Sequence, residues 1–385
     1  MITPPPPVRH ALRRRDPGAA LLVVIVSVAI LTAIAVDLAY NTRVSLLTAA
    51  NTRDELRAEY LARGATQLSR LVLQFQKQLD GAGPMKLQIW NLVPVTSALT
   101  QGLFGPGEAA GGPPASFEAR IEDEGTKVNV QLDSLFTGAN LLGAQVEALL
   151  GLVGDPRWDP LFDREDANGL RVTRTDLAVN LYDWTDPNST GSAFNVTLNP
   201  PFADGFGDEN QPYSRGDDRY AAKNARFDSL DELYLVAGID DAFMAAFGGH
   251  LTVYSRKDAP FNVNSTDPTE LAMYARVMAD PKLQPVLADA TFPQRLLKAV
   301  LLARQGGFVS LGAKEFADVL RSLDVIVGTA SSGAFTDQAY VFRIRATGTA
   351  GATERRVDAV VSFDAAQNGG QPPPDGGRLL HWREE

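Results

Sequence analysis

The sequence predicts an α+β protein with three parts: a long N-terminal helix, a small antiparallel sheet, and a large helical domain inserted into that sheet. Three observations predict it. An uncharged run of 18 residues, Ala19 to Val36, passes without a proline into amphipathic spacing that lasts to Leu79. Segments of alternating character lie near both ends of the remaining chain, at 116–133 and 339–364. Between them the apolar residues recur mainly at helical intervals.

The first 18 residues, MITPPPPVRHALRRRDPG, set Arg9, Arg13, Arg14 and Arg15 against Asp16 alone. The apolar run that follows is long enough to cross a hydrocarbon core of about 30 Å as a helix. Arginines on its N-terminal side place that end in the cytoplasm and the rest of the chain outside. Beyond Asp37, apolar residues such as Leu46, Leu47, Ala50, Leu56, Tyr60, Leu61, Gly64, Leu68, Leu71, Val72, Phe75 and Leu79 recur three and four positions apart. The predicted rod is on the order of 90 Å long.

Three readings fit such a start. A cleaved secretory signal would have a shorter apolar stretch, a small-x-small cleavage site and then structure-breaking residues. A plain signal anchor needs only the apolar span. A prepilin has a basic leader ending in glycine, cut on the cytoplasmic side between Gly18 and Ala19, ahead of one unbroken helix. The continuous helix favours the last.

After Leu79, DGAGP ends the helix, and GPGEAAGGPPAS at 105–116 reads as a flexible loop. SFEARIEDEGTKVNVQLD (116–133) reads as a hairpin turning at Glu124-Gly125. Residues 134–248 form the inserted helical domain, with a long polar loop at 187–219 and a capping box from Ser229 to Glu232. Short strands follow at 250–256 and 261–264, then helices near 267–280, 284–304 and 313–323. An antiparallel pair with a glycine turn occupies 339–364. The domain boundaries are 1–18 for the leader, 19–40 for the membrane span, and 41–133 for the distal helix and first strands. The inserted domain then takes 134–248, the rest of the core 249–365, and a disordered tail 366–385.

Composition narrows the chemistry. At 385 residues, with 45% hydrophobic and 21% charged residues, the chain can bury more than one core. Cysteine is absent, which excludes disulfides, thiolate metal sites and thiol nucleophiles. The net charge of -10 disfavours nucleic-acid phosphates as a partner. Two segments, 227–239 and 261–277, imitate helix-hairpin-helix modules, but their turns lack the glycine pattern that offers backbone N–H groups to phosphate. The three histidines, His10, His250 and His381, accompany no catalytic motif, so no enzyme is predicted.

One acidic cluster stands out. LYDWTDPNSTG supplies Asp183, Asp186 and Asn188, and FGDENQPY adds Glu209, with Asp208 a weaker candidate. Calcium takes six to eight oxygens from carboxylates, carbonyls and water, and a loop returning Glu209 towards Asp183 and Asp186 supplies them. The same residues also read as a solvated loop with Asx turns at Asp186-Pro187-Asn188. DREDANG (163–169) fails the spacing of an EF-hand loop.

Taken in order, the leader ending at Gly18, NTRDELRAEYLARGA (51–65), EDEGTKVNVQ (122–131), LYDWTDPN (181–188), ENQPY (209–213), KNARFDSLDELYLVAGI (223–239) and FNVNSTDPTEL (261–271) resemble the minor pseudopilin K family of type II secretion systems. The resemblance covers roughly residues 13–275. It implies a pilin-like antiparallel sheet and a large inserted helical domain. It also implies a single-pass inner-membrane protein with its head in the periplasm, at the tip of the pseudopilus. The implied partners are minor pseudopilins I and J, other pseudopilins and the prepilin peptidase, with secreted cargo and the secretin as further contacts. Family members bind calcium in the inserted region, which points again to Asp183, Asp186, Asn188 and Glu209. Two departures stand out. The fifth residue after the cut is Val23 where most prepilins have glutamate, which suits a subunit with none stacked above it. The segment SAFNVTLNPPFADGFG (192–207) is an added insertion beside the acidic cluster. A minor pilin of a type IV pilus and a membrane-anchored DNA-uptake receptor are the alternatives.

Overall fold

A computed structural model describes residues 17–80, 87–99, 114–132, 139–165, 169–195, 197–199, 201–214, 219–256, 259–282, 284–328 and 332–385. The leader up to Asp16 and most of the loop expected at 105–116 lie outside the described residues.

Helix α1 (Pro17–Asp80) is one uninterrupted element of 64 residues, about 95 Å long at 1.5 Å per residue. Every side chain from Gly18 to Ala49 is exposed. Farther on, Ala58, Ala62, Ala65, Ser69, Leu73 and Gln76 are buried and form one helical stripe. This stripe is not the one that the large apolar residues predict. Leu56, Tyr60, Leu71 and Phe75 are each about half exposed or more. Small side chains let the helix backbone approach the sheet, and the larger ones are turned outward.

Strands β1 (Val95–Thr96) and β2 (Ala115–Asp123) follow. Next come β3 (Val128–Asn129), α2 (Ala139–Val153) and α3 (Arg174–Thr185). A hairpin of β4 (Thr190–Phe194) and β5 (Phe202–Asp208) leads to α4 (Asp241–Phe247), β6 (Leu251–Thr252) and β7 (Phe261–Asn262). Helices α5 (Pro268–Met278), α6 (Phe292–Ala303) and α7 (Ala313–Ser322) precede β8 (Phe335–Thr336), β9 (Val341–Ala350), β10 (Thr353–Ser362) and β11 (Arg378–Glu384).

The main sheet has the order β1-β2-β9-β10-β11 and is antiparallel throughout. Alternation sorts its faces. Phe342, Ile344, Ala346, Val357, Ala359 and Val361 meet Ala62, Ala65 and Leu73 of α1. The β9–β10 turn runs through Gly351 at φ 60°, a left-handed position suited to glycine. The helices pack around a second, larger core of their own.

Several expectations need correction. The 116–133 segment is not a hairpin: β2 pairs with β1 and β9, and β3 runs parallel to β6. Asp123 accepts a hydrogen bond from the Gly125 N–H and caps a 3-10 turn at Glu124–Thr126, which carries the chain off the sheet. The inserted unit does not end at residue 248, because α5, α6 and α7 share the core that α2 and α3 build. The 366–385 segment is not a disordered tail, because β11 pairs with β10 along its length. It is also clamped to α1, where the Arg63 guanidinium donates two 2.9 Å bonds to Glu384. Arg70 adds bonds to the Gly376 and Gly377 carbonyls. The polar loop at 187–219 contains the β4–β5 hairpin, and the helix expected from 284 begins at Phe292. Ser229 makes no side-chain capping bond, because Glu232 instead accepts from Trp184, Lys223 and the Asp228 N–H.

Candidate metal centre

The acidic cluster forms where α3 ends. Thr173 and Asp176 exchange side-chain and backbone bonds in a capping box that fixes the start of this helix. At its other end Tyr182 stacks on Phe202 with ring centroids 4.1 Å apart, tying α3 to the β4–β5 hairpin. Trp184 packs edge-on against Tyr213 and stacks parallel to Phe227, and its Nε1 donates to Glu232 at 3.0 Å. These contacts hold Asp183 and Asp186, one turn apart, at the helix terminus.

Asp183, Asp186 and Glu209 are all buried. Asp183 accepts from the Ser192 N–H at 3.1 Å. Asp186 accepts from Asn188 Nδ2 through one oxygen at 2.6 Å, and its Oδ1 has no partner. Neither carboxylate oxygen of Glu209 has a hydrogen-bond partner. Burial raises the Asp183 carboxyl above its ordinary value. Burial, then the charges of Asp183 and Glu209, pushes Asp186 up to about 7. Burial raises Glu209, the neighbouring Asn224 side chain holds it down in part, and the charges of Asp183 and Asp208 add to the rise. The three carboxylates therefore share one electrostatic neighbourhood, and among the described residues no lysine or arginine pairs with any of them.

The β4–β5 hairpin explains how residues so far apart in sequence meet. It contains the whole 192–207 insertion, leaves the end of α3 at Thr190 and returns at Asp208. The insertion thus projects outward without separating the two halves of the site. Asn188 is exposed and forms an Asx turn, with Oδ1 accepting from the Thr190 N–H at 2.7 Å. Asp208 lies outside the buried cluster: it is exposed and accepts from the Asn210 backbone and side-chain amides.

Asn224 was missed by the sequence reading. It sits at φ 50°, its Nδ2 donates to the Asn188 carbonyl at 2.8 Å, and its buried Oδ1 has no partner. The Tyr213 hydroxyl is buried without a partner as well. The only sequence signal for Asn224 is its place in the KNARFDSL segment, which carries no acidic spacing.

The unpartnered buried oxygens of Asp186, Glu209 and the Asn224 amide suit a hard cation in donor chemistry. In the positions observed, no three His, Cys, Asp or Glu side chains among the described residues close around a single metal position by themselves. The processing residues lie elsewhere: Gly18 and Ala19 are exposed at the start of α1.

At the level of sequence, no family model and no curated protein matches the chain. Among solved structures, it is similar to a chain of the GspK-GspI-GspJ complex from the enterotoxigenic Escherichia coli type 2 secretion system. The TM-score is 0.51 at 13% identity, covering 87% of this chain and 98% of the other. A long helix on an antiparallel sheet, with a helical unit inserted between β2 and β9, is thus the fold of a component of that complex.

Proposed function

We propose that this chain is a minor pseudopilin at the tip of a type II secretion pseudopilus, where it helps initiate and cap assembly for protein export. The observation that carries the reading is α1: its apolar half is wholly exposed and its distal half is built into the sheet of a chain with this fold. It is the one helix among the described residues long and apolar enough to cross a membrane. In this reading it anchors the protein in the inner membrane by a single pass, with its N-terminus cytoplasmic and its head in the periplasm.

Prepilin peptidase cuts between Gly18 and Ala19. The outward residues of α1, among them Leu56, Tyr60, Leu71 and Phe75, then bury against helices of minor pseudopilins I and J and the other pseudopilins. The wide helical unit leaves no room for a subunit above it, in keeping with Val23, and it faces secreted cargo and the secretin. The protein acts by assembly and not by catalysis. Asp183, Asp186, Asn188 and Glu209 hold calcium, with the orphaned Asn224 oxygen as a further donor. The cation supplies the positive charge that the buried carboxylates lack.

Two measurements test the reading. Mass spectrometry of the mature protein is expected to find Ala19 at the N-terminus; an intact leader would leave only a membrane anchor. Affinity purification from membranes is expected to recover secretion-system pseudopilins. Recovery of pilus subunits instead would transfer the protein to a type IV pilus.

A further inference from the structure

A second cluster of titratable groups, sharing no residue with the acidic one, lies where β6 enters its pairing with β3. His250 closes the 3-10 turn Gly248–His250 that runs into β6. Lys127 stands in the matching place before β3, which pairs parallel with β6. The third element is the start of α5. There Asp267 caps the helix, accepting from the Thr269 and Glu270 N–H groups. Ser265 Oγ accepts from the Asp267 N–H at 2.9 Å and donates to Glu270 Oε2 at 2.6 Å. The other Glu270 oxygen, Oε1, faces His250 Nδ1 at 3.6 Å.

The Glu270 side chain is 7% exposed and the His250 side chain 23%. His250 Nδ1 is itself buried and has no hydrogen-bond partner. At this distance the two groups are within ion-pair reach but too far apart for a hydrogen bond, so charge holds them together. Around the pair, Lys127 is bound to Glu124 at 2.7 Å, with Glu122 at 3.7 Å. Tyr274 of α5 donates its hydroxyl to the Thr126 carbonyl, and Arg304 of α6 donates to the Asn264 and Ser265 carbonyls. Among the described residues no lysine or arginine pairs with Glu270, which leaves His250 as the cation that can offset it.

We propose that His250 and Glu270 form a proton-operated clasp tying the start of α5 to the β3–β6 join, closed while the imidazole is charged and loosened when it is neutral. The charged ring balances Glu270, whereas the neutral ring leaves Oε1 buried without a counter-charge, which is costly. The contact with Glu270 raises the imidazole above its ordinary value. Burial opposes that rise, the charges of Glu270 and Asp267 add to it, and Lys127 subtracts from it. A value raised by folding gives stability that is complete below about pH 6.5 and is lost as pH rises through the folded value. The clasp therefore loosens on the alkaline side of about pH 6.5. Because α5 belongs to the core of the inserted unit, the hold on that unit at its join with β3 depends on the acidity of the medium. The clasp depends neither on bound calcium nor on the place of the chain in a pseudopilus.

The test uses the full chain in detergent, isotope-labelled at its histidines, with the imidazole resonances followed by NMR as pH is raised. The chain has three histidines, and the signals that vanish in His250→Gln belong to His250. In the wild type His250 is expected to titrate above its ordinary value of about 6.5. In Glu270→Gln it is expected to fall to that value or below, since burial and Lys127 remain. Each unit of that fall is a tenfold change in the closing constant of the clasp. Where circular dichroism shows Glu270→Gln unfolded, Asp267→Asn replaces it; that change keeps an N-cap and is expected to lower the value by a smaller step. Amide hydrogen exchange gives a second readout at Leu271, whose N–H bonds the Asp267 carbonyl in the first turn of α5. Corrected for its intrinsic pH dependence, exchange there is expected to quicken several-fold between about pH 6 and about pH 8. His250→Gln is expected to exchange fast already at the lower pH and to show a smaller rise. Titration of wild-type His250 at or below its ordinary value, a value unmoved by the carboxylate change, or a pH response at Leu271 that His250→Gln leaves intact would each overturn the proposal.

Discussion

The backbone carbonyl of Ala58 occupies the space that a β-carbon on Gly348 would need. The same added carbon would lie 2.6 Å from the Ala62 amide nitrogen. Here α1 crosses β9 with backbone against backbone, because Ala58, Ala62 and Gly348 present almost no side chain at the crossing. A small-residue seam of this kind aligns a rod more rigidly than interdigitated large residues, since it leaves no rotamers to rearrange. The first prediction follows. Gly348→Ala must push the helix outward and is expected to destabilise the head by about 1–3 kcal/mol, as overpacking does. The urea midpoint of the full chain in detergent reads this; an unchanged midpoint would show that helix and sheet are not pressed together here.

The second prediction concerns the junction between sheet and inserted unit. Glu124 is fully buried and accepts from Lys127 Nζ at 2.7 Å, Arg343 Nε at 2.8 Å and the Thr252 hydroxyl. Burial alone would raise its pKa, but Lys127 and Arg343 override it and hold the carboxyl at about 2. Glu124→Gln keeps the shape and removes the charge, leaving two buried cations without their shared partner. The expected loss is about 3–5 kcal/mol. A variant within 1 kcal/mol of the wild type by denaturant titration would show that water or a rearranged Glu122 takes over.

Much of this architecture was legible in the sequence, and the failures have identifiable causes. The run from Ala19 to Leu79 reads as one helix because nothing in it breaks one, and Gly351 marks the β9–β10 turn by composition alone. Which face of α1 meets the sheet could not be read from apolar spacing. The contact depends on small residues, and the larger apolar Leu56 and Tyr60 stay exposed among the described residues. Strand β11 was hidden by the Pro- and Gly-rich segment before it, since its pairing and its Arg63 clamp are non-local. The convergence of Asp183, Asp186 and Glu209 was readable as acidic residues on both sides of one insertion. Asn224 was not, because a lone asparagine shows its orphaned oxygen only after the chain is folded.

The third prediction is a pH dependence. Asp123 is buried beside Glu124, accepting from Asn262 Nδ2 at 2.6 Å and from the Gly125 N–H at 2.8 Å. Burial outweighs both bonds and raises its carboxyl to about 7. Between roughly pH 4 and 7 the folded chain therefore holds a proton that the unfolded chain has released. Stability contributed by this group falls as pH rises through that window, by up to about 4 kcal/mol across it. Glu124 acts in the opposite sense and at lower pH: its depressed pKa adds stability that is lost only as pH falls towards 2. Denaturant midpoints between pH 5 and 8 are expected to decline in the wild type and to decline less steeply in Asp123→Asn, where Asp186, also raised to about 7, keeps its share of the slope. Parallel curves for the two proteins would mean that Asp123 is ionised when folded.

The last prediction tests the cation site through opposite signs with and without metal. Asp183, Asp186 and Glu209 repel one another in a buried setting, a strain that a bound cation would relieve. Adding calcium at a hundred times its dissociation constant is expected to stabilise the wild type by about 2.7 kcal/mol, read as a rise in melting temperature over a chelator control. Asp186→Asn and Glu209→Gln each remove one of the repelling charges. They are expected to melt no earlier than the wild type in chelator and to lose most of the calcium response. Asp208→Asn, at an exposed Asx turn beside the cluster, is expected to keep that response. A purely structural role for the carboxylates gives a different pattern, with both buried-site variants melting early in chelator and the wild type indifferent to calcium. That pattern would leave the orphaned oxygens of Asp186 and Glu209 without a cation and remove calcium from the proposed function, while leaving the anchoring helix and its sheet untouched.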